Sequence, residues 1–159
     1  MTSSDVWSAE EAERYDEASA FMYASSVLEP AVGYLATLAG AGPALEFAIG
    51  TGRVAIPLID RGVAVSGIEL SPAMVEQLRK KGRDVPVVVG DMATSTVPGE
   101  FSLVYLVWNG LGNVRTQSEQ VACFQNAAPG AGWTIRRRAV GARHQAVPTR
   151  SSRRALPHR

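Results

Sequence analysis

Cysteine and histidine are scarce in this chain, and their positions exclude several kinds of site. Cys123 is the only cysteine among 159 residues, so the intramolecular disulfides that stabilise small secreted domains cannot form. Both histidines, His144 and His158, lie near the end of the sequence, and neither is assigned as a catalytic base. We therefore expect no metal site, and the catalytic residues stay unassigned.

Long apolar runs are also absent. No stretch of the sequence approaches the roughly 20 apolar residues that a helix needs to cross a bilayer. The first residues include several acids, which differs from the basic leader and apolar core of a secretory signal. At 46% hydrophobic and 19% charged residues, the composition is that of a globular protein. We expect a cytoplasmic protein that does not bind a membrane.

Acidic residues are missing from the end of the chain. Residues 1–135 contain all 15 acids and 8 basic residues, whereas residues 136–159 contain 8 arginines and no acid. We interpret 1–135 as a partial domain with N-terminal helices, and 136–159 as an Arg-rich, disordered tail. Two interpretations of the tail are open. It is either aberrant sequence, for example from a shifted reading frame, or a native basic segment that binds nucleic acid or an acidic surface. Aromatic side chains that would stack on bases are absent from it, so nucleic acid is not an expected partner.

Apolar strands alternate with helical segments along most of the chain. Strands that are apolar throughout and separated by helices indicate a parallel sheet buried on both faces. The predicted fold is therefore α/β, with a Rossmann-like parallel sheet flanked by helices and ligands bound at the carboxyl ends of the strands. Strands are predicted over 44–47, 63–68, 85–89 and 101–107, and helices over 8–28, 31–38, 51–60, 71–81 and 117–127.

A glycine-rich turn follows the first predicted strand. Glu46 lies within the strand, and Gly50 and Gly52 follow it one residue apart. Glycine lets backbone N–H groups approach a ligand closely because it has no Cβ. A fixed negative charge on Glu46 beside the turn would favour a nucleoside ligand that carries a positive charge.

Ligand-compatible residues also follow the other three predicted strands. Glu69 ends the second strand, and a carboxylate there can accept hydrogen bonds from the two hydroxyls of a ribose. Asp91 and Met92 follow the third strand, where the acid can accept from an adenine amine and the methionine can cover the base. Trp108 and Asn109 follow the fourth strand as an aromatic and polar rim. Because parallel strands end at one edge, the sequence predicts a single shared crevice.

Three segments together resemble the class I, Rossmann-like S-adenosylmethionine-dependent methyltransferases. They are Leu45-Glu46-x-Ala48-x-Gly50-x-Gly52, Gly67-Ile68-Glu69-Leu70-Ser71-Pro72-Ala73-Met74 and Gly90-Asp91-Met92. The resemblance covers about residues 8–128. It implies S-adenosyl-L-methionine as cofactor and a small molecule as methyl acceptor, with the acceptor's identity and the oligomeric state left open.

The resemblance also implies a role for each matching residue. The turn with Glu46, Ala48, Gly50 and Gly52 would hold the amino-acid end of the cofactor. Glu69 and Leu70 would hold the ribose, and Asp91 with Met92 would hold adenine. Asn109 would border the methyl group and the substrate, and Tyr15 would cap the cofactor from the N-terminal helix.

Two departures from the family pattern leave alternatives open. Ala48 stands where the family has its first glycine, so a methyl group is added at a point of close approach. The family's sheet continues into a fifth strand and an antiparallel pair, so we expect a sheet that is incomplete at the C-terminal side. The alternatives are a catalytically inactive truncated remnant and an NAD(P)-binding protein, because Gly50-x-Gly52-x-x-Ala55 also fits the dinucleotide pattern.

Overall fold

A computed structural model describes residues 6–128 of the chain. The predicted boundary at residue 135 and the tail at 136–159 lie outside these residues. From Ala44 to Val89 strands and helices alternate, as the sequence predicts, and the next strand then follows without a helix between. The helices are α1 (Ala9–Ala18), α2 (Ser25–Ala39), α3 (Ala55–Asp60), α4 (Pro72–Lys80) and α5 (Gln117–Ala127), with 3₁₀ turns at Ala20–Tyr23 and Gly110–Asn113; the strands are β1 (Ala44–Phe47), β2 (Val65–Glu69), β3 (Val87–Val89) and β4 (Leu103–Tyr105).

The four strands form one parallel sheet in the order β3-β2-β1-β4. This confirms the α/β, Rossmann-like prediction. In the register of the sheet, Glu46 on the central strand β1 lies between Gly67 on β2 and Tyr105 on β4. All four strands end at the same edge of the sheet, and within residues 6–128 β4 is the outermost strand on its side.

Buried side chains pack in two clusters on opposite faces of the sheet. Ala44 belongs to the cluster that includes residues of α2 and α3, whereas the adjacent Leu45 belongs to the cluster that includes Cys123 of α5. This alternation follows from the period of two along a strand. Helices thus cover both faces, as expected for a parallel sheet. None of the helices within residues 6–128 is long and apolar enough to span a bilayer.

The N-terminal region differs from the single helix predicted over 8–28. Helix α1 ends at Ala18, where the Ser19 backbone N–H and hydroxyl both donate to the carbonyl of Tyr15. After the 3₁₀ turn, α2 begins at Ser25 and continues through Pro30. The sequence has no glycine or proline before Pro30 in this region, so the break carries no local signal.

Helix α3 is also shorter than predicted. It begins at Ala55 rather than Thr51, which makes Pro57 its third residue. The backbone N–H groups of the first turn have no acceptor inside a helix, so proline removes no helical hydrogen bond at this position. By contrast, α4 begins as predicted, with Pro72 first and the Ser71 hydroxyl accepting from the Met74 N–H at 3.4 Å. The predicted bounds of α5 are confirmed.

Candidate functional site

The turn after β1 contains three residues in the left-handed region. Ala48, Gly50 and Gly52 have φ values of +53°, +57° and +80°. A Cβ built on Gly50 would have its nearest neighbour 4.0 Å away, whereas a Cβ on Gly52 would lie 2.3 Å from Leu78 Cδ1. Gly50 is therefore open to a ligand, and Gly52 is required for packing against α4.

A cavity of about 670 Å³ lies at the carboxyl ends of the strands. One wall comes from the sheet and the loops that follow it. The other comes from residues 7–23, which we call the N-terminal cap. Seven of the nine predicted cofactor-binding residues line the cavity: Ala48, Gly50, Glu69, Leu70, Asp91, Met92 and Asn109; so do Tyr15 and Trp108.

Glu69 connects the ends of β1 and β2. Its Oε2 accepts from the Gly50 N–H and its Oε1 from the Ser71 N–H, both at 2.9 Å. Burial raises the pKa of Glu69, while the hydrogen bonds from these backbone groups act in the opposite direction. The carboxyl is thus held in one orientation at the cavity wall, with further acceptor capacity on each oxygen.

The loop after β3 is fixed by its own carboxylate and by α5. Asp91 Oδ1 accepts from the Ala93 N–H at 2.8 Å. The Asn126 side chain donates to the carbonyls of Met92 at 2.9 Å and Ser95 at 2.7 Å. Sequence reasoning did not identify Asn126, since nothing near it in the sequence links α5 to this loop. Asp91 and Met92 are consequently held in position at the cavity.

Glu46 lies away from the cavity, which differs from the prediction. Its side chain is 2% exposed, and its Oε2 accepts from the Tyr105 hydroxyl at 2.8 Å. Burial raises the pKa of Glu46 to about 8, against opposing effects of Tyr105, Arg53 and the Ala55 N–H. The side chain is thus held inside the protein by Tyr105 and does not line the cavity, so the structure does not bring Glu46 to the predicted ligand site. Gly52 does not line the cavity either.

An aromatic pair lies at one end of the cavity. Trp108 has φ of +63°, which is uncommon for a bulky residue, and is 62% exposed. Its ring meets Phe21 of the N-terminal cap edge-on, with centroids 5.8 Å apart, and the Arg53 guanidinium lies 5.9 Å from its centroid. Phe21 and Arg53 were not identified from the sequence. Contacts of this kind stabilise exposed rings in defined positions.

A second aromatic contact lies inside the N-terminal cap. The rings of Trp7 and Tyr15 meet edge-on with centroids 5.2 Å apart. The carbonyl of Trp7 accepts from the Ser71 hydroxyl at 2.8 Å, so the cap is attached to the start of α4. Tyr15 of this pair lines the cavity, and its capping of a cofactor stays a prediction.

Residues 44–129 match the family described as Methyltransferase domain. This is more than half of the chain, and it includes the glycine-rich turn, Glu69, Asp91 and Asn109. No curated protein matches the chain.

Solved methyltransferase structures share the fold. The CcbJ methyltransferase from Streptomyces caelestis is 38% identical, with a TM-score of 0.58 over 61% of this chain and 41% of that one. DesVI from Streptomyces venezuelae is 24% identical, with a TM-score of 0.59 over 78% and 56% of the two chains. The sugar N-methyltransferase KedS8 from Streptoalloteichus sp. is 20% identical, with a TM-score of 0.61 over 72% and 47%.

The chain thus spans between about two fifths and somewhat more than half of the length of these three structures. The part that it shares with them contains the parallel sheet and the cavity at its carboxyl edge. Together, the family match, the fold and the glycine-rich turn show that the chain belongs to the class I, Rossmann-like S-adenosylmethionine-dependent methyltransferases.

Proposed function

We propose that the chain binds S-adenosyl-L-methionine in the cavity and transfers its methyl group to a small molecule. One observation carries the proposal. Gly50, Glu69 and Asp91 follow three different strands, and all three line one cavity of about 670 Å³. This volume lies in the range of small-molecule sites.

The residues around the cavity fit an adenosyl ligand in three respects. The open side of Gly50 lets the backbone approach the amino-acid end of the ligand. Glu69, held by two backbone N–H groups, presents acceptors for two ribose hydroxyls. Asp91, whose Oδ1 is held by the Ala93 N–H, presents an acceptor for the adenine amine. Leu70 and Met92 also line the cavity, where Leu70 would contact the ribose and Met92 the base.

Ala48 and Glu46 have different roles in this proposal. Ala48 lines the cavity and takes the place of a glycine, so its methyl group faces the ligand's amino-acid end. Glu46 and Gly52 support the turn from inside the protein rather than through ligand contact.

When bound, the cofactor supplies a methyl group on a sulfonium, whose departure requires no added acid. The chain's contribution is alignment and exclusion of water. Tyr15, Trp108 and Asn109 line the cavity; Tyr15 would cover the cofactor from the N-terminal cap, and Asn109 and Trp108 would border the acceptor. Among the described residues that line the cavity, titratable side chains are carboxylates, Arg14 and Tyr15, and none of them is assigned as a base.

A small acceptor agrees with the shape of the site. Residues of the N-terminal cap line one wall of the cavity, and its Phe21 contacts Trp108 of the other wall. The CcbJ methyltransferase, at 38% identity, supports methyl transfer as the reaction class. The acceptor atom is left open by this proposal.

The test exploits the hydrogen-bonding pattern of Asp91. Replacing it with asparagine (Asp91→Asn) retains an oxygen for the Ala93 N–H but turns the free acceptor into a donor. Binding of S-adenosylhomocysteine, measured by calorimetry, should weaken about 10- to 100-fold, because a charge-assisted hydrogen bond contributes about 1.5–3 kcal/mol. S-inosylhomocysteine, which has a carbonyl in place of the adenine amine, should bind the variant better than it binds the wild type.

Controls separate this proposal from its alternatives. Asp84→Asn changes an exposed carboxylate away from the cavity and should leave both affinities unchanged. Heat from NAD⁺ but not from S-adenosylhomocysteine would favour an NAD(P)-binding protein. Heat from neither ligand would favour an inactive remnant. An Asp91→Asn variant that binds both homocysteine ligands like the wild type would refute the adenine role of Asp91.

A further inference from the structure

Asp16 is the centre of a polar cluster beside the cavity. Its Oδ1 accepts from the Thr51 hydroxyl at 2.5 Å and from the Tyr23 hydroxyl, and its Oδ2 lies 2.5 Å from Lys81 Nζ. The Tyr23 and Thr51 hydroxyls are themselves 3.1 Å apart. None of these four residues lines the cavity. We call Asp16, Tyr23, Thr51 and Lys81 the clamp cluster.

The clamp cluster joins parts of the chain that are distant in sequence. Asp16 and Tyr23 belong to the N-terminal cap, Thr51 lies between Gly50 and Gly52 in the glycine-rich turn, and Lys81 follows α4. Lys81 Nζ also donates to the carbonyl of Thr51 at 2.8 Å. The turn is thus held by both the side chain and the backbone of Thr51, which is 2% exposed.

The cluster is more than an ordinary surface ion pair. An exposed pair contributes about 0–1 kcal/mol and rarely fixes a geometry. Here the Asp16 carboxylate accepts from three donors on three segments. Partial burial acts to raise the pKa of Asp16, but the hydrogen bonds from Lys81, Thr51 and Tyr23 lower it overall. The charged form of Asp16 is therefore the one that the site favours.

The position of the clamp relative to the cavity indicates its role. Asp16 is adjacent to Tyr15, which lines the cavity, and Thr51 is adjacent to Gly50, whose N–H is held on the other side by Glu69. A ligand in the cavity would contact the N-terminal cap on one wall and the glycine-rich turn on the other. Because the clamp cluster forms without a ligand, loosening it would ease both the entry and the escape of a ligand that the cap covers.

We propose that the clamp cluster fastens the N-terminal cap to the glycine-rich turn and thereby sets how long an adenosyl ligand stays bound. Asp16, Thr51 and Lys81 are positioning residues in this scheme, since they act through Tyr15 and Gly50. The statement about residence time rests on the proposed function, whereas the fastening of the cap does not depend on any ligand.

The first test measures ligand release. In Asp16→Asn the side chain keeps its size but loses its charge, so the Lys81 contact weakens. We expect S-adenosylhomocysteine to dissociate about tenfold faster by stopped-flow displacement, and to associate faster as well, because the cap is already fastened in the ligand-free protein. Asp60→Asn is a matched control, because Asp60 forms a comparable 2.5 Å pair with Arg83 that lies away from the cavity.

The second test needs no ligand. Hydrogen exchange of the backbone amides in Ala9–Tyr23 should speed up in Asp16→Asn and stay unchanged in Asp60→Asn. If the wild type binds no S-adenosylhomocysteine, the proposed function is wrong. The hydrogen-exchange result then remains as the test of whether the clamp cluster fastens the N-terminal cap. Exchange that Asp16→Asn leaves unchanged would overturn the clamp.

Further variants cover the remaining outcomes. A double variant with Asp16→Asn and Lys81→Met should accelerate release by less than the product of the two separate effects. The reason is that both substitutions remove the same Asp16–Lys81 contact. Thr51→Val, which keeps the shape of the side chain, takes the place of Asp16→Asn if that variant does not fold. Equal release rates in Thr51→Val and the wild type, or equal acceleration by Asp60→Asn, would contradict the proposal.

Discussion

Glu46 allows a quantitative test of the electrostatics beneath the glycine-rich turn. Its carboxyl is buried between β4 and the start of α3, with a pKa of about 8 in the folded protein against a reference value of 4.5. Unfolding therefore releases a proton at any pH between these values. Because the folded-state pKa is the higher one, the associated stability is complete below about pH 4.5 and is lost as the pH rises toward 8.

The size of the effect follows from linkage. Each pH unit inside this window lowers the free energy of unfolding by about 1.4 kcal/mol through Glu46. Between pH 5.5 and 7.5 the wild type should lose about 3 kcal/mol from this residue. Glu46→Gln cannot titrate, and its oxygen can still accept from the Tyr105 hydroxyl. The amide nitrogen faces the Ala55 N–H, which adds a cost that does not change with pH.

The assay compares how the free energy of unfolding changes with pH in each protein, rather than its absolute value. Urea unfolding at pH 5.5, 6.5 and 7.5 gives the free energy of unfolding of each protein, with equal m-values as the check on two-state behaviour. Glu46→Gln should gain about 3 kcal/mol relative to the wild type across this range. Glu76→Gln, which changes an exposed carboxylate on α4, should follow the wild type. A constant difference between Glu46→Gln and the wild type would show that Glu46 stays charged when folded, and would refute the reasoning.

Two predictions concern the backbone of the turn itself. Ala48→Gly should stabilise the protein by about 0.5–1 kcal/mol in urea unfolding, since relief of an alanine at φ +53° outweighs the loss of one partly buried methyl group. A destabilised variant would show that the methyl contact is worth more than the strain. Gly52→Ala should destabilise by about 2–4 kcal/mol, because a Cβ there would combine φ of +80° with an approach of 2.3 Å to Leu78. Unchanged stability of Gly52→Ala would contradict that packing argument.

Local signals predicted the elements that depend on neighbouring residues. The bounds of β1 and α5 are as expected, and Ser71 caps α4 because its hydroxyl and the Met74 N–H that donates to it lie three residues apart. The break between α1 and α2 was missed because its cause is tertiary. After the break, the Tyr23 hydroxyl contacts Asp16 and Thr51, and Thr51 is 28 residues away from Tyr23 in the sequence.

The candidate site likewise has residues that the sequence grouped in advance and contacts that it did not predict. Glu69, Asp91 and Asn109 could be grouped in advance because parallel strands end at one edge. The location of the Glu46 side chain depends on a hydrogen bond to Tyr105, which is 59 residues away in sequence. The clamp cluster joins Asp16 to Thr51 across 35 residues. Pairings of this range are determined by strand order and helix packing, and no motif in the sequence specifies them.

Two tryptophans line the cavity, so intrinsic tryptophan fluorescence can be used as a probe of this site. Trp7 contacts Tyr15 edge-on within the N-terminal cap, and Trp108 lies next to Arg53 on the opposite wall of the cavity. With Trp133 changed to phenylalanine, all remaining indole emission comes from these two positions. Single replacements of either one then distinguish a signal from inside the cap, at Trp7, from a signal at the contact of Trp108 with Phe21 of the cap, without an attached dye.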